Sequence, residues 1–150
     1  RTRMRTRPAY STPQQRYRGL MPPKRIADKT GIAALHAARA GAEDRETRGV
    51  AIRWTLQRLA DRSPGGAVEV RVPPFGAVQV IEGLRHTRGT PPNVVETDAV
   101  TWLAMVTGDL MWVDALAAGR IHASGSRADL SALLPLPLPR LGGKPDEALN

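Results

Sequence analysis

The 150-residue chain contains no cysteine, which excludes disulfides and thiol chemistry and permits a reducing compartment. Aromatic residues are few: three tryptophans, two tyrosines and one phenylalanine. The three histidines, His36, His86 and His122, fall on separate segments with no HxxxH spacing, so no metal site is expected. No apolar run approaches the roughly 20 residues of a membrane span. The basic start is not followed by an apolar core of about 7–15 residues, so it does not read as a secretory signal. The GxSxG elbow, the GxxxxGK[ST] phosphate loop and the GxGxxG fingerprint are all missing. The motifs therefore give no positive support to an enzyme, and neither a catalytic residue nor a cofactor is expected.

Acids are also missing from residues 1–25, which carry eight positive charges; the whole chain has a formal net charge of +8. The remaining residues balance, so the basicity belongs to the leader rather than to the fold. Counterion release would let such a leader hold polyanions loosely, but no specific nucleic-acid partner is expected. Residues 1–24 read as a disordered basic leader, or as an extension upstream of a start at Met21.

What remains is patterned. Residues 25–41 read as a short helix with Ile32, Leu35 and Ala38 at helical spacing and Gly41 as its stop. Residues 44–62 form the strongest helix pattern. Ile52, Leu56, Leu59 and Ala60 share a face, Arg48, Arg53, Arg58 and Arg62 lie outside it, and Val50 with Trp54 make a second, narrower strip. "AVEVRV" (67–72) and "AVQVIE" (77–82) alternate strictly around the turn residues "PPFG", which predicts a hairpin. "NVVE" (93–96) is a third strand. Thr97 or Asp98 caps a helix to Thr107, which Gly108 ends; "WVDALAAG" (112–119) is a second short helix. "RIHASG" (120–125) alternates again, and Asp129 caps a last helix over Leu130, Leu133 and Leu134 before Pro135. The proline-rich residues 136–150 read as a flexible tail. The expected class is α/β (α+β): one domain over 25–135, its mixed or antiparallel sheet covered on one face by helices.

The polar stretch "EGLRHTRGTPPNVVETD" (82–98) has three readings. It is a rigid strand connection in which Arg85 or Arg88 pairs with Glu82, Glu96 or Asp98. Alternatively Arg85, His86 and Arg88 grip an anionic head group, or Glu96 and Asp98 act as base and acid. Trp102, Trp112, Leu103, Met105, Leu110 and Met111 suit either a packed core or the wall of an apolar cavity.

The segment "TDAVTWLAMVTGDLMWVDALAAGRIHASGSRADLSALL" resembles the C-terminal part of sterol carrier protein domains. The matching positions are Thr107 and Gly108, Ala115, Gly119 with Arg120, Ile121, Ala123, Gly125, and Leu130 with Leu133. "VEVRVPPFGAVQVIEGLRHTRGTPPNVVETD" further resembles the small bacterial orthologues of those domains. The position after Gly125, usually acidic in the family, is Ser126 here. The resemblance implies a sheet of about five strands and an apolar tunnel that binds or transfers a fatty acyl, sterol-like or other lipid. It assigns the tunnel wall to Ile52, Leu56, Leu59, Val78, Val80, Leu103, Trp112, Leu116 and Ile121, with Arg85, His86 and Arg88 as head-group contacts. The ending Ala148, Leu149 and Asn150 is not a peroxisomal address, and the expected location is cytoplasmic. The alternative function is a structural or regulatory interaction module with a filled core, working through Val50, Trp54 and the hairpin edge.

Overall fold

In the computed structural model, which describes residues 24–139, the first helix, α1 (Asp28–Arg39), packs on the longer α2 (Arg45–Arg62). The leader expected over 1–24 lies outside the described residues apart from Lys24, as does the tail from residue 140.

The narrow strip on α2 explains the pairing of the two helices. Trp54 is fully buried, and Ala51 joins it in a cluster with Ile32 and Leu35 of α1. The Trp54 half of the strip is thus covered by α1, while Val50 stays half-buried beyond it. Gly31 makes the close approach work, since any Cβ there would overlap the Trp54 indole. The indole N–H donates to the Asp28 carboxylate (3.0 Å), which satisfies the one polar atom that burial strands. Asp44 starts α2: its carboxylate accepts from the Thr47 N–H at 2.8 Å.

Four strands follow as expected: β1 (Val68–Val72), β2 (Gly76–Val80), β3 (Val94–Thr97) and β4 (Ile121–Ser124). They form one sheet in the order β2-β1-β3-β4, with β1 parallel to β3 and the other pairs antiparallel. The sheet of about five strands implied by the resemblance is corrected to four among the described residues. Residues 83–92, the long gap between strands, cannot supply another. Gly83 and Gly89 take positive φ there (152° and 71°), and Pro91 and Pro92 have no N–H to give a ladder.

The alternation divides the sheet into two faces. Val68, Val70, Val72, Val80 and Val95 are fully buried towards the helices. Glu69, Arg71, Ala77, Gln79, Glu96 and His122 share the other face, which is half-buried to exposed. Two helices complete the cover, α3 (Ala99–Thr107) and α4 (Trp112–Ala117). Trp102 ties α3 to α2: its indole donates to the Thr55 hydroxyl (2.9 Å) inside the core.

Asp98 starts α3 by accepting from the Thr101 N–H (2.9 Å) and hydroxyl (2.7 Å). Gly108 ends it in the left-handed region at φ 84°. Burial pushes the Asp98 carboxyl up, but the Thr101 hydrogen bonds and the Arg120 charge together hold it below the usual aspartate range. Replacing Asp98 by Ala should therefore cost about 1 kcal/mol at neutral pH in urea denaturation. A depressed folded-state pKa contributes stability above the unfolded value and loses it as pH falls through the folded one. The gap between native and Asp98→Ala curves should thus narrow below about pH 4. A gap unchanged down to pH 2 would show that the cap is not ionic.

The C-terminal part departs from expectation. The helix predicted over Leu130, Leu133 and Leu134 is a single turn, closed by Leu133 N–H and Leu134 N–H to the Leu130 carbonyl. Asp129 accepts from the Ser131 N–H instead of capping a helix. Pro135 stops propagation, because it disfavours helical backbone at Leu134 and donates no N–H. The chain past 135 is also not wholly loose. The Leu136 N–H bonds the Val106 carbonyl (3.0 Å), Leu136 is buried, and Leu138 packs on the core. The packed domain accordingly reaches Leu138.

Candidate functional site

An open groove of about 970 Å³ lies between the entry to α1, the outer side of α2 and the β1–β2 hairpin. Its apolar lining is Ile26, Ala27, Val50, Leu56, Ala60, Phe75, Ala77 and Val78; its polar lining is Lys24, Arg25, Thr30, Arg53, Gln57 and Asp61. The volume lies in the range of small-molecule sites.

Each wall has a local cause. Gln57 clamps the first wall: its amide accepts from the Ile26 N–H (3.0 Å) and donates to the Ile26 carbonyl (2.9 Å). This fixes a non-helical segment that has no ladder of its own. Arg25 then forms a two-pronged pair with Asp61 (2.6 and 3.0 Å). The Arg25 hydrogen bond holds the Asp61 carboxyl below its ordinary range, and the same contact raises the Arg25 guanidinium. Both groups are exposed, so the pair orders the groove lining more than it stabilises the fold. The second wall is α2, where Val50 and Ala60 stay half-buried because α1 covers only the Trp54 side. Phe75 in the hairpin turn supplies the third, next to Gly49; a Cβ on Gly49 would crowd both the Phe75 ring (3.1 Å) and the Arg53 guanidinium (2.9 Å).

Of the nine residues expected to line a tunnel, only Leu56 and Val78 meet this groove. Ile52, Leu59 and Val80 have no accessible surface, so they touch no space that admits water and belong to the packed core. Trp112 and Ile121 are also core residues, at 7% and 5% exposure, and Leu103 is half-buried between the two apolar clusters. Leu116 is 44% exposed and faces solvent: α4 buries Trp112 and Ala115, one turn apart, which turns Leu116 outward. The cavity is therefore not an interior tunnel along these residues.

The expected head-group contacts are also not gathered at the groove. Arg88 is exposed on the loop after β2. The His86 backbone is clamped by the Gln79 amide (2.7 and 3.1 Å), while its ring Nε2 is buried without a partner. Arg85 borders a smaller hollow of about 430 Å³ along the edge of β2, with Ala60, Glu69, Ala77, Val78 and Gln79. Neither Arg85 nor Arg88 forms an ion pair among the described residues, contrary to the pairing with Glu82, Glu96 or Asp98. Glu96 stands in register with Arg71 and His122, Arg71 bonds Glu69 (2.7 Å), and the Asp98 carboxylate is committed to Thr101.

The motif positions in the C-terminal half have structural work. The Arg120 guanidinium donates to the Thr101 hydroxyl (3.0 Å), and its carbonyl accepts from the Thr97 hydroxyl (2.8 Å), joining β4 to the start of α3. Gly125, at φ 102°, lies so close to Pro92 and Asn93 that a Cβ would overlap both. Asn93 uses that closeness: its amide donates to the Ala67 carbonyl and accepts from the Arg127 N–H, each at 3.0 Å.

These positions lie inside residues 44–136, which match a family model described as Bacterial SCP ortholog. The chain belongs to this sterol carrier protein-like family. A search of the curated proteins gave no match. The matched span holds the sheet, α2, α3 and α4, whereas α1 and the Lys24–Thr30 wall of the groove precede it. The groove therefore joins family residues to a segment outside the matched region. No helix among the described residues is long and apolar enough to cross a membrane.

Proposed function

We propose that this sterol carrier-like domain binds, without catalysis, a small apolar molecule of lipid or fatty acyl type in the groove between α1, α2 and the hairpin. The observation that carries the reading is the lining, in which eight apolar side chains outnumber six polar ones. Burying each ligand methylene there would contribute about 0.8 kcal/mol. Such walls discriminate weakly between chain lengths, about 1–3 kcal/mol per methylene, so a range of ligands is expected. Lys24 and Arg53 in the lining suit a ligand whose polar end is anionic, because Arg25 is already engaged by Asp61.

The test is a titration of the full chain with the fluorescent fatty acid cis-parinaric acid, followed by displacement with palmitate and, as a control, with decylamine. Saturable binding, displaced by palmitate and poorly by the amine, is the expected result. Absence of saturable binding would overturn the reading. The interaction-module alternative keeps one supporting observation, the filled interior around Ile52, Leu59 and Val80. Its proposed surface loses Trp54, which α1 covers, and retains the hairpin edge.

A further inference from the structure

The hydrogen-bond register of the hairpin identifies which backbone groups of β2 are unused. The Glu69 N–H donates to the Asn93 carbonyl (3.0 Å), so the odd residues of β1 face β3 and the even ones face β2. Register then assigns Val68, Val70 and Val72 to Val80, Val78 and Gly76 as bonded pairs. The Phe75 N–H to Val72 carbonyl bond (2.9 Å) at the turn agrees with that assignment. The backbone groups of Ala77 and Gln79 consequently point away from the sheet, whereas the Ile81 carbonyl turns back and accepts from the Ala67 N–H (3.1 Å). The Ile81 N–H donates to the Ser63 carbonyl at the end of α2 (2.8 Å). Ala77 and Gln79 have no backbone partner across the edge among the described residues.

This open edge is built into its surroundings. It borders the apolar groove through Gly76, Ala77 and Val78, and the smaller hollow runs along it from Ala60 of α2 to Glu69, Gln79 and Arg85. Strand edges are usually blunted by bulges, prolines or cover, yet here both hollows open along the edge. A strand laid along the edge would send alternate side chains to the two faces. The residue opposite Val78 would enter the groove beside Phe75, and those opposite Ala77 and Gln79 would lie over the outer face.

Charge narrows the occupant. Arg53 lies against Gly76 at one end of the edge, with its Cγ 3.6 Å from where a Cβ would be. Arg85 lies by Gln79 at the other end, and Lys24 lines the groove. Of the carboxylates that line the two hollows, Asp61 is taken by Arg25 and Glu69 by Arg71. The three cations form no ion pair among the described residues. Pairing two copies through this edge would bring the same cations together, which disfavours self-association.

We propose that the free edge of β2 docks an extended acidic peptide segment of a partner protein, adding it as an antiparallel fifth strand. Main-chain bonds to Ala77 and Gln79 supply the affinity, an apolar side chain at the centre fills the groove, and flanking carboxylates meet Arg53 and Arg85.

The probe is a fluorescein-labelled peptide with the core Asp-Thr-Leu-Thr-Asp, titrated into the full chain by fluorescence anisotropy. Three companions use the unaltered protein: the peptide with both threonine amides N-methylated, the peptide with lysine in place of each aspartate, and analytical ultracentrifugation of the chain alone. The expected result is saturable binding, weakened at least tenfold by N-methylation and by the lysine exchange, to a monomer. Ala77→Pro should weaken binding by a similar factor, because it removes an edge N–H that β1 does not use; circular dichroism and melting checks its fold. Equal binding of the N-methylated or lysine peptide, or no binding of the parent, overturns the proposal. A dimer that Ala77→Pro dissociates overturns it in favour of a second copy. Lipid binding by cis-parinaric acid is read separately, so loss of either result leaves the other interpretable.

Discussion

Replacing Trp54 by alanine should lower the stability of the domain by about 3–5 kcal/mol, the largest loss expected from any single truncation at the contact between α1 and α2. The side chain is fully buried, stacks over Gly31 and donates to Asp28, so the change leaves a large void and removes a hydrogen bond to α1. Against a typical total of about 5–15 kcal/mol this brings the fold near its limit. Urea denaturation followed by far-ultraviolet circular dichroism checks it. Trp54→Phe should lose clearly less, because it keeps most of the packing and forfeits the hydrogen bond. A loss under about 1 kcal/mol for the alanine variant would mean that α1 is not held by this contact. The consequence for function follows from position: α1 begins where Ile26, Ala27 and Thr30 wall the groove, so loosening it should also release the ligand.

Periodicity made most of the fold legible. The α2 pattern, the strictly alternating hairpin and the Asp98 to Gly108 helix are long or bounded by residues with one structural meaning, and each sits where the sequence implied. The failures have equally local causes. Residues 129–134 carry a cap residue and leucines at helical spacing, but Pro135 leaves room for only one turn. In α4, six residues span fewer than two turns, so spacing could not decide whether Leu116 or Ala115 faces the core, and the larger residue is the exposed one.

The candidate site was the least legible part. Its wall at Ile26 and Ala27 has no periodicity, and the Gln57 amide that clamps Ile26 lies 31 positions away in sequence. Val50 was visible as an apolar residue off the main face of α2. Nothing local distinguished the half of that strip that α1 covers from the half left open. Phe75 was read as turn chemistry because its neighbours are Pro73, Pro74 and Gly76. The one usable signal was the chain's scarcity of aromatics: a lone phenylalanine in an otherwise small-residue turn has no packing partner within its own hairpin. It had to find one elsewhere, and it packs against the core beside Gly49 of α2.

Filling the groove should separate ligand binding from stability. Val50→Trp adds a large ring to a half-buried position that borders open space, so it need not displace packed atoms. Overpacking a closed core costs about 1–3 kcal/mol, whereas here the added volume enters the cavity. The expected result is a loss of cis-parinaric acid affinity of at least tenfold, equivalent to about 1.4 kcal/mol, with a melting temperature close to that of the parent chain. Leu116→Trp is the matched control. Leu116 was expected to line a tunnel, but it is 44% exposed on α4 and does not border the groove, so the same added ring should leave both affinity and stability near their starting values. The two variants change the chain by the same residue type at two sites. If Leu116→Trp weakens the fatty acid and Val50→Trp does not, ligand binding lies beside α4 and the groove assignment fails. If both leave it unchanged while binding remains saturable, the ligand uses neither surface. Only loss confined to Val50→Trp agrees with a ligand held between α1, α2 and Phe75.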